Sequence, residues 1–345
     1  MADGVLFDRI NEGQHLPMSN EMNTLRLAFS ALASLLSLAS AAAQAQAPRQ
    51  GYITTGDGVR LAYRVLGEGP QTLVIPAGFS DQTDYSSLAH GRRVLLYDQR
   101  DRGRSDTIND PKRIGLNFEL QDLEALRTQL GSDRISLMGE SYLGAVVALY
   151  AAAHPEHIDR LIQVDPMSPR RDPYSAQEDA IWAARLDQDA MKRLDEMKKA
   201  GLNTKDPVAY CREYDKTLLP YFGDRATLLR YHSRCELPNE RPDHFDSWWD
   251  AMEKSFGKWD WRSRAALIKA PALVIYGDRD FIPAAATREW AACIPDARLL
   301  VLPGIGHISW FEASDKVISA TDEFLGGKSP HGAIAVQPKI SANAP

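Results

Sequence analysis

Short apolar runs alternate with helical stretches along most of this chain. Gly51–Thr55 and Val59–Leu66 read as two strands joined at the Gly56-Asp57-Gly58 turn. Gln71–Pro76 and Arg92–Tyr97 read as two more, followed by Leu116–Leu130, where Leu120, Leu123, Leu126 and Leu130 recur at helical spacing. Arg134–Met138 is an apolar strand running into a buried helix over Ala145–Ala153, and Leu161–Val164 is the next strand. The rhythm breaks at Ser168. From there to Arg264 the chain is charged and rich in Trp and Tyr, broken by prolines, without a clear strand. It resumes with a strand at Ala272–Tyr276, a helix around Ala285–Ala292, a strand at Arg298–Leu302 and a helix at Glu312–Leu325. Alternating strands and helices imply an α/β fold, a mostly parallel sheet flanked by helices. The boundaries predicted are a core over 51–167 and 265–325, a helical cap insertion over 168–264, and a Gly/Ala/Pro-rich disordered tail over 326–345.

Composition narrows the function. At 44% hydrophobic and 25% charged, the chain is an ordinary globular protein. A formal charge of −6 gives no case for nucleic acid as a partner. No phosphate loop, zinc spacing or repeat stands out, so neither a cofactor nor a metal is expected. The N-terminus carries more information. Met22–Arg26 is a short basic start, Leu27–Leu38 is apolar, and Ala43-Gln44-Ala45 forms a cleavage signal. This reads as a secretory signal peptide cut after Ala45, with translation starting at Met22 and residues 1–45 absent from the mature protein. The apolar run is short for a membrane span, so no stable span is expected after processing. A secreted or periplasmic location allows disulfides. Of Cys211, Cys235 and Cys293, the first two lie in the cap and are the expected pair.

The candidate chemistry centres on Gly139-Glu140-Ser141-Tyr142-Leu143-Gly144, between the Arg134 strand and the following helix. A serine in a tight strand–helix turn has its hydroxyl lifted off the sheet, and the helix N-terminus favours a developing negative charge there. A serine hydroxyl needs a base to take its proton, and the base needs a carboxylate to orient it. His307, in the glycine-flanked loop after the last core strand, is the expected base. Asp280, after the Ala272 strand, is the expected acid; Asp165, after the Leu161 strand, is its rival. Asp278 reads as a turn residue. For the oxyanion, the expected donors are the Tyr142 N–H and the Phe79 N–H, with Gly78 in reserve. All these residues follow strands, where open α/β sheets bind ligands.

Tyr97-Asp98-Gln99-Arg100-Asp101-Arg102-Gly103-Arg104-Ser105 resembles the D-x-R-G-x-G-x-S stretch of the α/β-hydrolase superfamily. Its Asp-Gln-Arg form is similar to the prolyl aminopeptidase (proline iminopeptidase) branch. The acid loop Gly277–Pro283 and the histidine loop Pro303–His307 resemble those of the superfamily, and the order serine, acid, histidine is the same. The likeness covers Gly51–Leu325. It departs at Leu143, where the elbow usually has glycine, at Asp101, and at Pro76–Ser80, where the peptidases carry His-Gly-Gly-Pro-Gly. The resemblance implies an α/β-hydrolase fold and a serine hydrolase working through an acyl-enzyme. Removal of N-terminal residues, especially proline, from small peptides is the first expectation, and a carboxylesterase acting on small esters the alternative. A non-catalytic hydrolase-fold binding protein is the rival of another class. The peptidases bind the substrate amine with cap carboxylates, which makes Glu236 and Glu240 candidates, Glu240 foremost.

Overall fold

The computed structural model describes residues 50–76, 85–231 and 242–339. The stretch read as a signal peptide, Gly78 and Phe79, and Cys235, Glu236 and Glu240 lie outside the described residues.

Nine strands among the described residues form one sheet: β1 (Gln50–Thr54), β2 (Arg60–Leu66), β3 (Gln71–Ile75), β4 (Arg92–Tyr97), β5 (Ile135–Glu140), β6 (Ile158–Val164), β7 (Ala272–Gly277), β8 (Ala297–Leu302) and β9 (Ile334–Val336). Their spatial order is β1-β2-β4-β3-β5-β6-β7-β8-β9. From β4 through β8 every pairing is parallel; β1, β2 and β9 join antiparallel. All six residues of β7 are buried, as a central strand covered on both faces requires. On one face lie α1 (Leu116–Gln129) and α2 (Tyr142–Ala153). Nine of the twelve residues of α2 are buried, which explains its almost wholly apolar composition; the helix starts at Tyr142, three residues before the expected Ala145.

The insertion between β6 and β7 is helical. Its longer helices are α3 (Tyr174–Arg185), α4 (Gln188–Lys199), α5 (Pro207–Asp215) and α6 (Pro242–Phe256). Asp187 and Asp206 cap α4 and α5 by accepting from Ala190 N and Asp206's partner Ala209 N, both at 3.0 Å, and Pro207 opens α5 where no N–H is needed. The two ends of the insertion are paired. Arg171 N donates to Trp259 O at 3.0 Å and Trp261 N to Pro169 O at 2.8 Å. The Trp259 and Trp261 rings stack beside this seam, 5.6 Å apart.

The core resumes with α7 (Ala284–Cys293) and α8 (Ser314–Leu325). In α8, Val317, Ala320, Thr321, Phe324 and Leu325 make one buried stripe against the sheet face opposite α2. The tail corrects the sequence reading. Residues 334–336 are not a disordered end; they form β9, pairing with β8 from Leu299↔Ile334 to Ala297↔Val336. Lys339 N also donates to Ala292 O at 2.8 Å. Composition hid this because a three-residue strand on a sheet edge is held by backbone bonds, with little apolar burial of its own. No helix of the described residues is long and apolar enough to cross a membrane.

Candidate active site

Ser141 stands between β5 and α2 with φ 54° and ψ −127°, a conformation costing a non-glycine residue about 1–3 kcal/mol. Backbone bonds hold it there. Ser141 N donates to Val164 O at 3.0 Å, and Ser141 O accepts from Gly144 N at 3.0 Å and Met167 N at 2.9 Å. Gly139 is required because a Cβ there would lie 2.3 Å from Leu143 O. That clash is with a backbone oxygen and would persist whatever residue occupies 143; the Leu143 side chain is half-buried. Gly144 takes the other close approach, against Pro166.

The three residues expected to act together are joined. Ser141 Oγ lies 2.9 Å from His307 Nε2, and His307 Nδ1 lies 2.9 and 3.0 Å from the two oxygens of Asp280. His307 and the carboxyl of Asp280 are both buried. Burial disfavours the imidazolium, but the Asp280 charge and hydrogen bond, with further carboxylates at Asp165 and Glu140, raise the His307 pKa above its ordinary value.

Asp165 is placed differently. Its Oδ1 accepts Gly277 N at 2.9 Å, and its Oδ2 accepts Ser309 N at 3.0 Å and Ser309 Oγ at 2.5 Å. Both oxygens are thus engaged with the acid and histidine loops, and neither is paired with the imidazole. Burial and the nearby Asp280 charge raise its pKa. Asp278 is a turn residue that also ties these loops, accepting Gly304 N at 2.7 Å.

Tyr142 heads α2, and first-turn N–H groups of a helix point outward along its axis, on the side of Ser141 here. The other expected donor, Phe79, lies outside the described residues, but the approach to its loop is anchored. Gln99 Nε2 donates to Pro76 O at 2.8 Å. The Asp98–Ser105 stretch is scaffold for this anchor. Arg100, fully buried, donates to both oxygens of Asp122 at 2.8 and 2.6 Å. Asp101 has φ 63°, the left-handed region that glycine favours and aspartate tolerates, and its Oδ1 accepts Ile108 N at 2.9 Å. That explains how Asp substitutes for the usual glycine. A Cβ on Gly103 would lie 2.4 Å from Asp98 Oδ2, so that glycine is fixed by contact.

The site also contains residues that sequence reasoning missed. Trp182, Tyr221 and Phe281 pack edge to face with centroids 4.9–5.3 Å apart. Phe281 and Tyr221 lie 4.6 and 5.3 Å from the His307 ring. Glu178 of α3 accepts from the Ser168 hydroxyl; burial raises its pKa, and its charge is felt at Asp280 and His307. The available signal was spacing. Tyr174, Glu178 and Trp182 recur every four residues, on one face of α3. Among the described residues no group of His, Cys, Asp and Glu is arranged to hold a metal ion.

Comparison with known proteins bears on the family and the fold. The α/β hydrolase fold family matches residues 72–314. The proline iminopeptidase of Saccharolobus solfataricus is 26% identical over 285 residues, covering 76% of this chain and 87% of that protein. The 2-hydroxy-6-oxononadienedioate/2-hydroxy-6-oxononatrienedioate hydrolase 2 of Pseudomonas putida is 25% identical, covering 77% and 92%. Among solved structures, a hydrolase from Pseudomonas aeruginosa PA01 superposes with a TM-score of 0.60 at 26% identity, over 81% of this chain and all of that one. The chain belongs to the α/β-hydrolase fold family.

Proposed function

We propose that this hydrolase works through an acyl-enzyme on Ser141 and releases N-terminal residues, proline foremost, from small peptides. The observation that carries the mechanism is the continuous hydrogen-bonded path from Ser141 Oγ through His307 to Asp280. His307 Nε2 takes the hydroxyl proton as Ser141 Oγ adds to the substrate carbonyl. The resulting oxyanion is received by the Tyr142 N–H and the Phe79 loop. His307 then gives the proton to the leaving amine, the C–N bond breaks, and the acyl group stays on Ser141. Water, deprotonated by His307, adds to the ester; the C–Oγ bond then breaks, His307 returns the proton to Ser141 Oγ, and the carboxylic acid leaves.

Two features support the peptidase reading. The aromatic corner of Trp182, Tyr221 and Phe281 suits a compact apolar ring, and Glu178 supplies a carboxylate for a substrate ammonium beside it. Glu240 remains a further candidate for that ammonium. The similarity to proline iminopeptidases points the same way. A carboxylesterase is the second reading, favoured by the same aromatic corner, which would hold a neutral acyl group equally well. A panel of aminoacyl amides and short-chain aryl esters separates them. Turnover of prolyl amides that is lost on N-acylation supports the peptidase; turnover of aryl esters without any amide turnover overturns it in favour of the esterase.

We also infer export, resting on Met22–Ala45 as a signal peptide. Intact mass of the protein recovered from exporting cells should begin at Gln46. A mass retaining Leu27–Ala43 would replace export with anchoring.

A further inference from the structure

The backbone of the catalytic histidine is held from the cap side. His307 N donates to Tyr221 O at 2.7 Å, and Tyr221 belongs to the cap insertion. The two segments touch so closely that glycine is needed on both. A Cβ on Gly306 would lie 2.4 Å from Tyr221 O and 2.6 Å from Gly223 N, and one on Gly223 would lie 2.2 Å from Gly304 O. One carboxylate bridges the crossing. Glu312, at the end of the short helix Ser309–Glu312, accepts Gly306 N at Oε1 and Gly223 N at Oε2, both at 2.8 Å. The cap segment is held on its other side by Arg185 of α3. Its guanidinium donates to Pro220 O at 3.2 Å, to Phe222 O, and to Arg279 O of the acid loop at 2.7 Å.

We propose that Glu312 is a positioning residue that makes the cap segment Pro220–Gly223 part of the His307 loop, so that the position of the cap sets the reactivity of the base. The chemistry favours a carboxylate at 312. Both ends of the bridge are backbone N–H donors, and a carboxylate has an acceptor for each. Glutamine has one acceptor oxygen and would turn its NH2 group toward the other donor. A displaced cap would withdraw the Tyr221 carbonyl and Gly223 together, and His307 would lose its backbone anchor. Among the described residues the ring itself is held by Ser141, Asp280 and the Tyr221 and Phe281 rings.

The inference rests on His307 acting as the base, and the test keeps the two ideas apart. Ser141 is labelled with a small dialkyl fluorophosphonate, which needs the base but little of the pocket. The labelling rate is followed across pH in wild type, E312Q and G223A, with R193A as a cap variant remote from the crossing. Wild type that does not label would overturn the mechanism itself. With wild type labelling, the expectation is at least a tenfold slower rate in E312Q and G223A. Their pH profiles should also be displaced, because the base moves relative to Asp280, Asp165, Glu140 and Glu178. R193A should match wild type. E312Q that unfolds at a lower temperature but labels at the wild-type rate, with an unchanged pH profile, would reduce Glu312 to a structural residue and overturn the proposal. If G223A does not fold, E312Q decides the matter alone.

Discussion

Asp165 Oδ2 lies 2.5 Å from Ser309 Oγ, two residues beyond His307 in the chain, while the imidazole itself faces Asp280. Two buried carboxylates therefore have different tasks. Asp280 orients the ring, and Asp165 ties the start of the acid loop to the end of the histidine loop. Asp280→Asn should cost roughly 10^3–10^4-fold in kcat, since an amide can hold the wrong tautomer. Asp165→Asn should cost much less, of order tenfold, and should lower the unfolding temperature. Steady-state kinetics with thermal unfolding check both; a near-wild-type Asp280→Asn beside an inactive Asp165→Asn would reverse the assignment.

The pH dependence follows from the charges around His307. Asp280, Asp165 and Glu140 stabilise its protonated form, which cannot take the Ser141 proton. The limb of kcat/KM that reports the base should therefore lie above the ordinary histidine value of about 6.5 and rise with pH. Removing the Asp280 charge destabilises the imidazolium, so in Asp280→Asn the residual activity should titrate at lower pH. A wild-type limb below the ordinary value would contradict this.

The elbow makes an opposed pair of predictions. Gly139→Ala drives a Cβ into the Leu143 carbonyl at 2.3 Å and should abolish activity by displacing Ser141. Leu143→Gly restores the more usual elbow pattern and should leave activity within about threefold of wild type. It should cost stability of about 1 kcal/mol, since glycine is a poor helix residue. Kinetics and denaturant unfolding of the two variants decide it; a large activity loss in Leu143→Gly would show that this leucine does more than fill space.

Much of the site was legible because its residues follow strands, and strand ends are where apolar patterning is sharpest. Ser141 and Asp280 lie 166 and 27 residues before His307 in sequence, yet each of the three follows a buried apolar run, and the parallel sheet brings those ends to one edge. Asp278 was readable as a turn residue for the same reason. Asp280 was the expected acid, but Asp165 stayed its rival, because both follow buried strands and only side-chain direction separates them. Glu178 and Glu312 were missed because each acts across the cap–core boundary. No local pattern records that Gly223 lies against Gly304 and Gly306. β9 was missed because backbone pairing, rather than apolar burial, holds it.

The cap disulfide predicts a thiol count. Cys211 is disulfide-bonded, Cys293 is a free buried thiol, and the expected partner Cys235 lies outside the described residues. Burial pushes the Cys293 thiol up to about 12, so the native protein should show no reactive thiol. Unfolding without reductant should expose one, and reduction should expose three. Three thiols before reduction would remove the bond and weaken the case for an oxidising compartment.

Glu119 of α1 is fully buried, and its oxygens accept no hydrogen bond among the described residues. Burial, with the neighbouring Asp122 charge, raises its pKa to about 8. A raised carboxyl holds its proton in the folded state after the unfolded chain has released it. Its cost to stability is therefore absent below the unfolded value and grows as pH rises toward the folded one. Glu119→Leu should stabilise the protein by about 2 kcal/mol near pH 8 and by less near pH 5. Urea unfolding at the two pH values checks the sign, and a variant less stable at both would contradict it.

The central claim is that Ser141 is a nucleophile made reactive by His307. Its most direct measurement is covalent labelling of the purified protein with a fluorophosphonate, read by intact mass and peptide mapping. One adduct per chain is predicted, on the peptide carrying Ser141, absent in Ser141→Ala and slowed at least 10^3-fold in His307→Ala. A folded wild-type protein that takes up no label, or takes it elsewhere, would contradict the account and leave a hydrolase fold without this chemistry.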